Sequence, residues 1–175
     1  MWAGTFRSPA LSSGYMSNHF TMHRVLCSTP PELESARLVF EQQLSDFAEQ
    51  VTMPAGILFP SASFRQEFNV SVLRYAVESN IRLVEFFLQI FGVSMPDPVF
   101  QGFINLSLAC VADPAIPLRQ ATVLFKHSSG SPELEKLREA LAADSRCEVR
   151  EYADEQDLGL QIRNMLEGWF ALVRP

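Results

Sequence analysis

The chain has 175 residues, 47% hydrophobic and 19% charged, which excludes disordered, collagen-like and low-complexity classes and fits one domain able to bury roughly 70% of its unfolded surface. A net charge of -6 and a pI near 5.1 argue against a protein whose main task is to neutralise nucleic-acid phosphates or to lie on an anionic membrane. No apolar stretch reaches the ~20 residues of a membrane span; the longest, Leu83 to Val93, is broken by Glu85 and Gln89.

Met1 to Thr21 lacks a continuous apolar core for a secretory signal and reads as a poorly ordered leader, with one domain from residue 22 to residue 175. His23 to Ser28 reads as a first strand. It ends at Thr29-Pro30-Pro31-Glu32, where Thr29 is expected to cap a helix and Glu32 to complete a capping box. Ala36, Phe40, Leu44 and Phe47 then form one apolar helical face. Met53 to Phe59 is expected to be a second strand at a sheet edge, because Pro54 and Gly56 limit its regular part. Pro60 to Glu67 reads as a polar loop and Phe68 to Glu78 as a short amphipathic helix stopped by Asn80. Ile81 to Phe91 carries the near-continuous hydrophobicity of a central strand covered on both faces.

Asp97-Pro98 opens the next helix with a cap and a proline at its first position, and its apolar side runs through Phe100, Phe103, Ile104 and Leu108. Ala121 to Lys126 is the fourth strand. Ser131-Pro132 repeats the cap-and-proline start for a helix through Leu134, Leu137 and Leu141. Cys147 to Tyr152 is a weaker fifth strand, and Asp154 caps a last helix whose apolar face includes Leu158, Ile162, Met165, Leu166 and Trp169. Five strands alternating with five helices imply an α/β, flavodoxin-like three-layer sandwich around a mainly parallel sheet of order 2-1-3-4-5. Ligands in such sheets bind at the carboxyl ends of the strands, at the switch between the first and third strands.

Neither GxGxxG after the first strand nor a Walker-type phosphate loop is present, so no nucleotide cofactor is expected in those modes. Cys27, Cys110 and Cys147 are odd in number and in no ligand spacing, which reads as buried thiols in a reducing cytoplasm. His19, His23 and Cys27 stand four residues apart, but a strand over His23 to Ser28 does not align them as metal ligands. His127 follows Lys126 and precedes two serines without a nucleophile elbow or an evident acid partner, and reads as part of a solvated loop.

The segments RVLCSTPPELESAR (Arg24 to Arg37), MPAGILFP (Met53 to Pro60), VESNIRLVEFFLQIFG (Val77 to Gly92), ADPAIPLRQATVLFK (Ala112 to Lys126) and YADEQDLGLQIRNMLEGWF (Tyr152 to Phe170) resemble a bacterial TIR-like domain family of unsettled function. That family is similar to TIR domains and to nucleoside 2-deoxyribosyltransferases. Catalytic members of those related groups use a glutamate to engage a ribose and assist N-glycosidic cleavage, where a carboxylate stabilises or attacks a developing oxocarbenium ion. The resemblance places that acid in a Phe-Glu pair just inside the helix beginning at Asp97, and this chain has Phe100-Gln101 there. It therefore implies an interaction or regulatory module without turnover, docking on a protein partner or on a second copy. The alternative is an enzyme or sensor holding NAD, a nucleoside or a related molecule in a crevice formed by Ser28, Thr29, Arg65, Gly92, Gln101 and Lys126.

Overall fold

A computed structural model describes residues 20–63, 70–127 and 131–174. The strands are β1 (Thr21–Met22), β2 (Val25–Ser28), β3 (Ile57–Leu58), β4 (Ser61–Ser63), β5 (Phe86–Phe91), β6 (Gln120–Lys126) and β7 (Cys147–Tyr152). The α-helices are α1 (Glu34–Phe47), α2 (Val70–Ile81), α3 (Pro98–Ala112), α4 (Pro132–Ala142) and α5 (Glu155–Val173). The main sheet runs β4-β2-β5-β6-β7 with every neighbouring pair parallel, which is the flavodoxin-like order 2-1-3-4-5.

Period-two alternation divides the core between the two faces of that sheet. Val25, Cys27, Phe86, Leu88 and Ile90 meet Phe40, Leu44 and Phe47 of α1 and Leu158, Ile162, Met165 and Trp169 of α5. Leu26, Phe87, Phe91, Val123 and Phe125 face Val77 of α2, Phe100 and Phe103 of α3, and Leu134 and Leu141 of α4. β5 lies at the centre and all six of its residues are buried, which is why its sequence reads as an apolar run interrupted only at Gln89. Trp169 stacks on Phe86 with ring centroids 4.8 Å apart and is fully buried, so it belongs to the core.

Three helix starts form as their sequences dictate. The Asp97 carboxylate accepts from the Val99 amide, Ser131 from Leu134 and Asp154 from Asp157. Thr29 does not act as the expected cap: Pro30 takes that position with no side-chain hydrogen bond, and a 3-10 turn over Pro31–Leu33 precedes α1. Two consecutive prolines fix the chain in extended backbone at Pro30 and make the turn without a hydroxyl acceptor.

The second strand also differs from its expected place. Met53 to Gly56 is a turn with Gly56 at φ 73°, and β3 pairs with β1 in a separate two-stranded parallel sheet. The edge strand of the main sheet is instead β4, in the segment expected to be loop, because the Pro60 carbonyl accepts from the Val25 amide and restarts pairing one step further on. Thr21, assigned by sequence to the leader, is paired with Ile57, while residues 1–19 lie outside the described residues. Asn80 does not stop α2. Its amide donates to the Ala76 carbonyl within the helix, which continues to the fully buried Ile81, and β5 begins only at Phe86.

Candidate functional site

The switch point lies between the carboxyl ends of β2 and β5, where Ser28 is in register with Gln89. Both are buried. The Gln89 side-chain oxygen has no hydrogen-bond partner among the described residues, and its amide makes only a 3.3 Å contact to the Ile90 carbonyl. Thr29 is half-buried beside them, and Gly92 follows β5 so closely under Leu33 that a Cβ at Gly92 would stand 3.2 Å from a Leu33 methyl. A side chain there would need the Leu33 methyl to give way by a few tenths of an ångström. Gln101 sits half-buried in the first turns of α3, Lys126 is exposed at the end of β6, and Arg65 lies outside the described residues.

Two acids that the sequence places near the candidate crevice, Asp97 and Glu85, are engaged elsewhere. Asp97 is the α3 cap. Glu85 precedes β5 and therefore sits at the amino end of the sheet, opposite the switch point. There its carboxylate accepts from His23 Nδ1 at 2.9 and 3.0 Å and from Arg119 Nε at 2.8 Å. His23 is 7% exposed, packs edge-on against Phe59 at 6.1 Å between ring centroids, and its buried Nε2 has no partner among the described residues. This cluster ties the starts of β2, β5 and β6 together, and the Glu85 backbone reinforces it by pairing with Arg24 and Arg119.

A second cluster of the same three residue types occupies the carboxyl end of β6 and β7. The His127 amide donates to the Tyr152 carbonyl, and His127 Nδ1 donates to Glu151 Oε2 at 2.8 Å. Glu151 pairs in register with Phe125, so its side chain lies on the α4 face, where Arg138 reaches both Glu151 and Glu135. The His127 hydrogen bond, and behind it the Arg138 charge, hold the Glu151 carboxyl below the usual carboxylate range. His127 is open to solvent, with its side chain 73% exposed. A cavity of about 70 Å³ lies here, lined by Phe125, Lys126, His127, Leu134, Glu135 and Arg138. It has room for roughly two water molecules, and at its side the buried Arg138 Nε has no partner among the described residues.

The sequence did not disclose the acid partner of His127. Glu151 is 24 residues away, and only the register of β6 against β7 brings the two together. The detectable signal is that both strands end in polar residues, with Lys126 in register with Tyr152 and Glu151 one step before it, opposite Phe125.

A larger groove of about 750 Å³ runs between α1 and α5, walled by Val39, Gln43, Gly159 and Leu160, with Asp154 at one end and Arg163 at the other. Among the described residues no group of three or more His, Cys, Asp or Glu side chains is placed to hold a metal ion, and no helix is long and apolar enough to cross a membrane. Cys27 is buried and its thiol is pushed well above the ordinary range by burial, and Cys147 is pushed up to about 12 by the same cause, so neither is a thiolate nucleophile near neutral pH.

No protein-family model matches the chain, and no curated protein matches it. Among solved structures it is similar to the metal-soaked Flv1 flavodiiron core from Synechocystis sp. PCC6803, with a TM-score of 0.39, 14% identity and 87% of this chain covered. The match spans 37% of that protein's length. The flavodoxin-like assignment rests on the strand order and parallel register of this chain itself.

Proposed function

We propose that the chain is a TIR-like interaction or regulatory module of a bacterial signalling or defence-type system, binding a protein partner or a second copy and carrying out no turnover of NAD or nucleosides. The observation that carries this reading is the position of Glu85, locked to His23 and Arg119 at the amino end of the sheet. A ribose at the switch point would meet Ser28 and Thr29, and where the resemblance expects a glutamate the chain has the neutral Gln101; none of these supplies the negative charge that an oxocarbenium ion requires. A second reading, a sensor of a nucleotide-derived molecule, draws support from the unmet Gln89 oxygen beside Ser28, since a buried carboxamide lacking a partner is an unspent recognition group.

Thermal unfolding with NAD, nucleotides, nucleosides and sugar phosphates tests both. A ligand of the folded state at 100 times its dissociation constant adds about 2.7 kcal/mol and moves Tm by several degrees. The module reading expects no shift and no released base, from the wild-type protein or from Gln101→Glu. A shift without product supports the sensor, and released base from either protein overturns the module reading.

A further inference from the structure

The His127 cluster has a chemical capacity that docking alone does not use. Because the Glu151 carboxylate can only accept, the proton of a neutral His127 ring is fixed on Nδ1 and the lone pair is left on Nε2. Among the described residues Nε2 makes no hydrogen bond, and the ring stands in solvent at the carboxyl end of the sheet, where a donor can approach it. Lys126 and Arg138 line the same small cavity and supply positive charge beside the ring. Arg138 holds the other Glu151 oxygen, so Oε2 stays turned toward the ring and can balance its positive charge.

We infer that His127 Nε2 is a phosphoryl-acceptor site, modified by a donor whose phosphorus is bonded to nitrogen. The Nε2 lone pair forms the new P–N bond as the donor's P–N bond breaks. With phosphoramidate, whose nitrogen is protonated at neutral pH, the leaving group takes that electron pair and departs as ammonia. The ring becomes an Nε2-phosphorylated imidazolium that still carries its Nδ1 proton, and Glu151 accepts a charge-assisted hydrogen bond from it. Glu151 is thus a positioning residue: it selects the reacting nitrogen and stabilises the charged product. His23 has the same carboxylate bond but is buried, which makes it an internal control of the same chemistry.

The site gives the regulatory reading a covalent mark but does not depend on it. Failure to phosphorylate leaves the module intact as a docking domain, whereas nucleoside cleavage overturns the module without touching His127. The test is incubation of the full chain with phosphoramidate, with the site located by mass spectrometry and the isomer assigned by phosphorus NMR after digestion. The expected product is the Nε2 isomer at His127, stable in alkali and lost in acid, formed faster than on N-acetylhistidine and missing in His127→Gln. Glu151→Gln, which keeps the shape and removes the charge, is expected to slow the reaction by about tenfold, a modest share of what a carboxylate contributes to an oriented imidazole, and to admit the Nδ1 isomer. A wild-type rate no higher than that of N-acetylhistidine, a Nδ1 product, or an unchanged Glu151→Gln each overturns the inference. Circular dichroism of both variants confirms that a lost signal is not lost folding.

Discussion

The two ends of the sheet carry the same triplet, a histidine whose Nδ1 meets a glutamate that an arginine also holds, and they differ in burial. At the amino end Glu85 is 17% exposed and His23 9% by side chain, whereas at the carboxyl end Glu151 is 36% exposed and His127 73%. Low dielectric makes the first triplet energetically demanding and chemically closed, because an unpaired charge there cannot be repaid by water. High dielectric makes the second nearly neutral for stability and open to reagents. The same residue types therefore brace one end of the molecule and present a nucleophile at the other.

The largest expected effect comes from removing the amino-end acid. Glu85→Ala leaves buried His23 and half-exposed Arg119 without a shared acceptor and should cost about 2–3 kcal/mol in urea unfolding, below the full range for a broken buried pair because Arg119 reaches solvent. A cost below about 1 kcal/mol would erase the distinction between the ends. Glu151→Ala should then fall under about 1 kcal/mol in the same experiment, since His127 and Arg138 are rehydrated when it is lost.

A smaller effect lies in acid. The Glu151 carboxyl is held below its ordinary range, so its contribution to stability is present above the unfolded-state pKa and is lost as pH falls through the folded value. His127→Gln removes the first cause of that depression. Carbon NMR of the carboxyl should show Glu151 titrating at higher pH in the variant, and an unmoved titration would mean that Arg138 alone sets it.

What could be read from the sequence follows from how local the information is. Asp97, Ser131 and Asp154 are caps decided within a few residues, and each forms as its neighbours dictate. The apolar runs at Phe86 to Phe91 and Ala121 to Phe125 identify central strands, and the flavodoxin-like order chosen among those that right-handed crossovers allow is the one observed. Thr29 misleads because two prolines settle the backbone before a cap is needed. The edge strand misleads because Ser61 and Ser63 carry no apolar signal and their pairing to Val25 and Cys27 is made by the backbone. Both triplets were hidden for one reason: the histidine and glutamate of each are separated by 24 residues or more, His127 from Glu151 and His23 from Glu85, and strand register unites them.

The contrast between the two ends can be measured directly by treating the native chain with diethyl pyrocarbonate and following the acylation of each histidine by mass spectrometry over time. The account expects His127 to react at the rate of a solvent-exposed imidazole and His23 to react only through local opening, more than about tenfold slower, with the gap closing in denaturing urea. Equal native-state rates for His23 and His127 would contradict it, because the amino-end histidine would then be as accessible as the one proposed to carry chemistry.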